Sequence, residues 1–353
     1  MVEHSLAKAD TGVQFPSSAP VIYWSSGVVV NMPPCHGGDR GFESHLDRHH
    51  KNDILEKGCF FCLNEDMILN VSGRTDIVGF YMDWFVERWQ AGFYDVQNPF
   101  YNKQVSRIYV KDVDMIVFCT KNPISLLDTI HLFDVPIMLQ VTITGYHKDL
   151  EPNVMDKTLI IEAVKKLSKI LGKENVCVRY DPIILNDTYT VDYHIKAFKR
   201  LCALLDGYVT RMIISFVDDY KNVRENKLIY HEPTQEELNK ISIEFNGISK
   251  EHGMYVVSCM EDYDLGFSKE GCVPIKYAFE KTGKLFKPWK ARKCGCATMV
   301  DVGYYNSCLH GCKYCYANYD EGKVRENYSK HDINSTTLIG KIDDTYDIRT
   351  REK

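Results

Sequence analysis

No run of about 18 consecutive apolar residues, the length a membrane-spanning helix needs, occurs anywhere in the chain. Charge of one sign is also scarce. The 43 Lys and Arg against 48 Asp and Glu leave a formal net charge of -5. That balance gives no footprint for tight nucleic-acid binding, although it leaves room for a local basic groove. An export signal is missing as well: the stretch from Val21 to Val30 has no basic start and is broken by Trp24, Ser25 and Ser26. We therefore expect a cytoplasmic protein with no membrane partner and no nucleic-acid partner.

Cysteine, by contrast, is plentiful. There are 13 in 353 residues, and seven of them lie between Cys259 and Cys315. In a long chain without an export signal, clustered cysteines read as metal ligands rather than as a disulfide framework. With 44% hydrophobic residues, the chain can bury a large core as one barrel or as two smaller domains.

Residues 1–66 show no helix or strand periodicity and carry scattered Gly, Pro, Ser and His. Two phrases, Gly12-Val13-Gln14-Phe15-Pro16 and Arg40-Gly41-Phe42-Glu43-Ser44, back-translate into T-loop sequences of transfer-RNA genes. Val-Gln-Phe fits GTT-CAA-TTC, and Phe-Glu-Ser fits TTC-GAA-TC. We expect translation to begin naturally at Met67; the other reading is a disordered N-terminal arm. On either reading Cys35, Cys59 and Cys62 are not counted as ligands.

From Met67 a regular pattern begins. Short runs rich in Ile, Val, Phe and Met predict strands at 68–72, 115–120, 137–144, 176–179, 211–217 and 254–260. Amphipathic stretches between them predict helices at 77–90, 124–132, 155–171, 191–205 and 234–252. Apolar strands separated by helices argue for a parallel sheet wound into a full or partial barrel. Polar residues gather after each strand: Arg74 and Asp76, Lys121, Thr144, Arg179 and Asp181, Asp218 and Asp219, Cys259 and Glu261. In a parallel barrel these strand ends share one rim, where ligands bind. Asp76 and Asn122 also fit as plain helix caps.

Near the C-terminus the chain reads Ser307-Cys308-Leu309-His310-Gly311-Cys312-Lys313-Tyr314-Cys315-Tyr316-Ala317-Asn318. Cys308, Cys312 and Cys315 can give three thiolates to a 4Fe-4S cluster, leaving one iron without a protein ligand. An open iron can bind a small molecule and do chemistry, whereas a closed four-cysteine site carries electrons or holds structure. Cys259, Cys272, Cys294 and Cys296 add four thiols for a second iron-sulfur cluster or a structural zinc, with iron favoured by the Cys-x-Cys spacing. Some of them can instead close the first cluster. His310 is expected beside the ligands or on the surface. Cys119, Cys177 and Cys202 read as small buried hydrophobes.

The three-cysteine motif resembles the signature of radical S-adenosylmethionine (SAM) enzymes, and its flanking residues resemble the spore photoproduct lyase branch. The words Gly-Arg-Thr-Asp-Ile at 73–77, Thr-Lys-Asn-Pro at 120–123, Thr-Ile-Thr-Gly-Tyr at 142–146, Arg-Tyr-Asp-Pro-Ile at 179–183 and Ser-Phe-Val-Asp at 215–218 resemble the bacterial domain of unknown function 1848 family. So do the Cys-Gly-Cys word and the motif that follows it. The resemblance covers about residues 68–318 and implies the α/β fold of that superfamily, a partial (β/α)6 TIM-like barrel over 67–262. A cysteine-rich iron-sulfur segment at 263–320 and a polar tail at 321–353 would follow. Two features depart from the radical SAM pattern: the cysteines come after the sixth predicted strand rather than the first, and no Gly-Gly-Glu word follows the first strand.

The resemblance implies a 4Fe-4S cluster on Cys308, Cys312 and Cys315, bound SAM, an electron donor such as ferredoxin or flavodoxin, and radical chemistry on an unidentified, small-molecule or other, substrate. Arg74, Lys121 and Arg179 are then the candidates to hold the SAM carboxylate or an anionic substrate. Asp76, Asp181 and Glu261 would accept from ribose hydroxyls or the amine, and Tyr314 would pack beside the cluster or the adenine, or fill the core. Two rivals stay open. One is a metal-binding barrel, with zinc or a closed cluster, that turns nothing over. The other is a DNA-repair lyase, for which Lys323, Arg325 and Lys330 offer only a thin basic patch.

Overall fold

The computed structural model of the chain describes residues 21–23, 29–31, 66–101, 103–258, 265–268, 270–289 and 294–351. The chain divides into two compact units, Met1–Phe60 and Phe61–Lys353. Of the first, the described part is two short strands, β1 (Val21–Tyr23) and β2 (Val29–Asn31), paired antiparallel. Cys35, Cys59 and Cys62 lie outside the described residues.

The second unit carries β3 (Met67–Val71), β4 (Phe93–Gln97), β5 (Gln104–Tyr109), β6 (Val113–Thr120), β7 (Ile137–Thr142), β8 (Val176–Ile183), β9 (Arg211–Phe216), β10 (Tyr255–Ser258), β11 (Met299–Asp301) and β12 (Asp347–Thr350). Seven of them form one sheet in the order β10-β9-β8-β7-β6-β3-β11, and each neighbouring pair runs parallel. This is an α/β fold. Strand side chains alternate between faces, and both faces are apolar. Leu69, Ile116, Leu139, Val178, Ile214 and Val256 enter the larger core. Ile68, Met115, Met138, Cys177, Ile213 and Val257 face the other way, onto Val273, Ala278, Phe286 and Ala297. A sheet covered on both faces is what near-continuous apolar strands require.

The helices start where the sequence supplies caps. They are α1 (Ile77–Phe80), α2 (Met82–Ala91), α3 (Leu126–Thr129), α4 (Lys157–Leu171), α5 (Val191–Leu204), α6 (Lys221–Glu225), α7 (Gln235–Glu251), α8 (Ile275–Thr282) and α9 (Glu321–Ser329). Asp76, Asp156, Thr190 and Asp320 accept a backbone N–H at the starts of α1, α4, α5 and α9. Thr234 and Glu237 form a reciprocal capping box on α7. Helices α5 and α7 pack through Phe198 and Phe245, whose rings stack with centroids 3.9 Å apart. Among the described residues no helix is long and apolar enough to cross a membrane.

Three features differ from the periodicity. Six strands are expected and the sheet has seven: β11, three residues long, docks beside β3, with Val300 opposite Leu69 and Asp301 opposite Asn70. The cysteine motif therefore follows its own strand at the edge next to β3, not β10. A second sheet of order β12-β5-β4 also forms, built from a hairpin and the C-terminal strand. The stretch expected as a polar tail carries α9 and β12 and buries Leu338 and Ile339. The indole of Trp84 donates to the Ser335 carbonyl at 2.9 Å.

Candidate functional site

The loop from Cys308 to Cys315 leaves β11 and lies against the loops that follow β3, β6, β7 and β9. Each of those loops supplies a side chain that grips it. After β9, Asn222 of α6 donates to the carbonyls of Cys315 and Asn318, and Asn226 donates to that of Lys313 at 2.7 Å. After β7, Asn153 donates to the Leu309 carbonyl at 2.8 Å. Gly311 has a φ of +67°, with Asn153 and Pro152 near 3.2 and 3.3 Å from where a Cβ would stand. A glycine between the first two cysteines is therefore required by both backbone and space.

Asp76 ties three of these loops together. Besides capping α1, it accepts from Thr120 Oγ1 at 2.7 Å and from the Lys121 N–H at 2.8 Å. Its Oδ2 also accepts from His310 Nε2 at 2.8 Å. Burial alone would raise its pKa, but the hydrogen bond and charge of His310, with the donors of Lys121 and Thr120, hold it below the ordinary value. His310 is thus buried, not exposed, and stands edge-on to Phe80 with centroids 4.7 Å apart.

Glu151 is the second hub. It is buried and accepts from Lys121 Nζ at 2.8 Å, from Thr144 Oγ1 at 2.7 Å and from the Tyr314 hydroxyl, while Lys157 Nζ pairs with its other oxygen at 2.8 Å. Burial would raise its pKa; the two lysines overcome this and bring it down to about 2. Tyr314, between two of the cysteines, is therefore tied to β6 and to the loop after β7 through one carboxylate.

The other expected cations are likewise paired. Arg74 Nε meets Asp301 Oδ1 at 3.0 Å, and its second arm donates to the Asp301 carbonyl at 2.9 Å. Asp301 also accepts from Asn70, Ser72 and the Gly303 N–H, so it fixes the turn after β3. Arg179 forks onto Asp181 and donates to Gln140 Oε1 at 3.1 Å. Lys121 belongs to Glu151. The structure thus places Arg74, Lys121 and Arg179 in internal ion pairs, with carboxylates that are largely buried themselves. Cys177 and Cys202 are buried as expected, and Cys119 is partly buried. Arg179, Asp181, Asp76 and Asp301 all act on its thiol, which burial pushes up to about 11.

The donor set fits an iron-sulfur cluster. Burial is the main cause that disfavours ionisation of Cys308, Cys312 and Cys315, with Cys312 pushed up to about 12. Cys308 also feels Cys315 and Cys312, so the three sulfurs lie within electrostatic reach of one another. Thiolates become stable here once a metal supplies the compensating charge. Backbone N–H groups of His310, Ala317 and Asn318 already point at Cys308 and Cys315, the hydrogen bonds that tune cluster-bound sulfur. Among the described residues no three His, Cys, Asp or Glu close around one ion.

Cys272, Cys294 and Cys296 lie elsewhere, beside the smaller core. Cys259 and Glu261 lie outside the described residues. Asp218 and Asp219 are exposed; Asp219 pairs with Arg224. Sequence reasoning missed Glu151, Asp301, Asn222 and Lys157. Glu151 follows no strand directly, and Asp301 ends a strand too short to show a period.

Fold and loop together define an α/β protein with a parallel sheet and a three-cysteine loop lying against the loops that follow its strands. The family model described as domain of unknown function (DUF1848) matches residues 68–317, well over half of the chain, and the chain belongs to that family. No curated protein matches it. Among solved structures, spore photoproduct lyase complexed with dinucleoside spore photoproduct is similar at 14% identity and a TM-score of 0.35, over 59% of this chain and 64% of that one. A point mutant of spore photoproduct lyase is similar at 16% identity, a TM-score of 0.35 and the same coverage. The chain thus spans less than two thirds of the length of these structures.

Proposed function

We propose that the protein is a radical SAM enzyme whose parallel sheet is a circularly permuted partial barrel. The observation that carries this reading is the convergence of Cys308, Cys312 and Cys315 in a loop that leaves β11, the strand beside β3. Counted across the sheet from that edge, the motif follows the first strand of a parallel run, and β3, β6, β7, β8, β9 and β10 come after it. The order of the motif in the chain, late instead of early, is then a matter of connectivity, not of position.

Cys308, Cys312 and Cys315 would hold a 4Fe-4S cluster with one open iron for SAM. When bound and reduced, that cluster supplies one-electron reductive cleavage of the SAM C5′–S bond, which starts hydrogen abstraction from a substrate. The protein's own residues hold the loop and exclude water. Asp76 fixes His310, Glu151 fixes Tyr314, and Asn222 fixes the backbone of Cys315. Because Arg74, Lys121 and Arg179 are spoken for, an anionic ligand would have to share a guanidinium with Asp301 or Asp181, and Asp181 offers an acceptor to a hydroxyl or amine. A one-electron carrier such as ferredoxin or flavodoxin is the expected partner.

Full-length protein reconstituted anaerobically with iron and sulfide, then given dithionite and SAM, should release 5′-deoxyadenosine. Cys312→Ala should abolish that release. A brown, iron-loaded protein that releases none would overturn the proposal in favour of a closed cluster.

A further inference from the structure

The smaller core fills only part of its face of the sheet. Ile68, Val117, Met138, Cys177 and Ile213 pack there with Val273, Ala278, Phe286 and Ala297. Side chains alternate along a strand. Further towards the C-terminal strand ends, the same face therefore carries Asn70, Cys119, Thr142, Arg179, Ser215 and Asp301. None of these six is fully buried. In β3, β6, β7 and β9, the residues Asn70, Cys119, Thr142 and Ser215 are each the single one that is not. The ladder keeps neighbours level: Asp301 stands opposite Asn70, and Thr142 opposite Arg179.

The cysteine loop reaches this face at Gly73, whose carbonyl accepts from the Tyr316 hydroxyl. A Cβ on Gly73 would stand 3.2 Å from Asp301 Oδ2, 3.4 Å from Asn70 Nδ2 and 3.5 Å from that hydroxyl. The polar part of the face thus lies between the smaller core and the loop that carries Cys308, Cys312 and Cys315.

Charge and spare hydrogen-bonding capacity fall on different residues here. Asp301 holds Arg74 and Asn70, and Asp181 holds Arg179, so the charges are matched within the protein. The Thr142 and Ser215 hydroxyls and the Cys119 thiol engage no side-chain hydrogen bond among the described residues. A hydroxyl both donates and accepts. A charged ligand would leave water for a surface with no counter-charge to spare, which is costly. An uncharged one can exchange its hydrogen bonds with water for bonds to these groups.

We propose that this polar part of the sheet face binds the substrate, and that the substrate is a small uncharged molecule bearing hydroxyl or amide groups. Thr142 and Ser215 exchange hydrogen bonds with it, and Cys119 lies against it. That the bound molecule is also the one that reacts rests on the SAM reading; the preference for an uncharged molecule does not.

Cys119 reports on that preference. Full-length protein, reconstituted anaerobically with iron and sulfide, is treated with iodoacetamide, an uncharged amide, or with iodoacetate, its anionic counterpart. Either reagent forms an S–C bond as iodide and the thiol proton leave. Peptide mass spectrometry gives the labelling rate at Cys119. Relative to their ratio on free cysteine, iodoacetamide should react several-fold faster there than iodoacetate. Asp181→Asn, which releases Arg179, should swing the ratio several-fold towards iodoacetate. Thr142→Trp, which fills the face, should slow both reagents while circular dichroism stays native. A preference for iodoacetate in the unaltered protein, or no preference, would overturn the proposal. So would a Cys119 that labels no faster than the buried Cys177. None of these readouts needs SAM, so a protein that releases no 5′-deoxyadenosine can still pass this test, and one that releases it can still fail.

Discussion

The two cysteine groups sit on the same sheet but are held by opposite means. The group at Cys308–Cys315 is wired to the strand ends by buried charges: Asp76 to His310, and Glu151 to Lys121, Lys157 and Tyr314. Cys272 and Cys294 pack against an apolar core of Val273, Ala278, Phe286 and Ala297, and the Gln140 and Arg211 side chains of the sheet donate to the Cys272 carbonyl. A site that binds and releases ligands needs a polar, hydrogen-bonded surround that stays put, while a structural centre needs only packing. The two groups thus differ in their surroundings in a way that the spacing of the cysteines does not reveal.

The comparison breaks most sharply at Glu151. Glu151→Gln leaves Lys121 and Lys157 buried without their carboxylate, and stripping one partner from a buried pair costs about 3–5 kcal/mol. Thermal or urea unfolding should show that loss, and iron retention at Cys308, Cys312 and Cys315 should fall. Unchanged stability and iron content would show that the two lysines do not depend on Glu151.

Acid probes the scaffold under both groups. His194 is buried on α5, where it donates from Nε2 to the Ile184 carbonyl and accepts at Nδ1 from Tyr180. Burial, only partly opposed by that carbonyl, lowers its pKa from 6.5 to about 4. The unfolded chain therefore takes up a proton first. Stability is intact above pH 6.5, falls as pH drops towards 4, and flattens below; this one group contributes about 3 kcal/mol at most. Urea midpoints measured across that window should fall, and His194→Gln should flatten the slope.

The smallest expected effect is Gly271→Ala. Its new methyl meets backbone atoms that cannot rotate away, and overpacking of this kind costs about 1–3 kcal/mol. Thermal or urea unfolding should show that loss, with iron retention at Cys308, Cys312 and Cys315 unchanged. A variant with unaltered stability would show that the contact is looser than its distances imply.

Much of this was legible beforehand. All six strands and the longer helices follow from apolar periodicity and caps, because each is a local pattern long enough to repeat. The strand ends were legible in part: Asp76 and Lys121 do follow β3 and β6, whereas Arg179 and Asp181 lie within β8, which runs on to Ile183. What the residues could not disclose is partnership. Arg74 and Lys121 look like free cations along the chain, yet each is neutralised by a carboxylate brought in by the fold: Asp301 lies 227 residues from Arg74 and Glu151 lies 30 from Lys121; only Arg179 has its partner, Asp181, beside it in the sequence. Strand β11 was hidden for a simpler reason: three residues cannot show a period. The hairpin β4–β5 was missed because its strands are half-buried and mixed in polarity.

The central claim is that Cys308, Cys312 and Cys315 carry a cluster with an open iron. The direct test is the low-temperature EPR spectrum of the anaerobically reconstituted, dithionite-reduced protein, recorded with and without SAM. An S = 1/2 signal that shifts when SAM is added, and that Cys308→Ala removes, is the predicted result. A reduced-cluster signal indifferent to SAM would contradict the claim and leave a closed, electron-carrying or structural centre in its place.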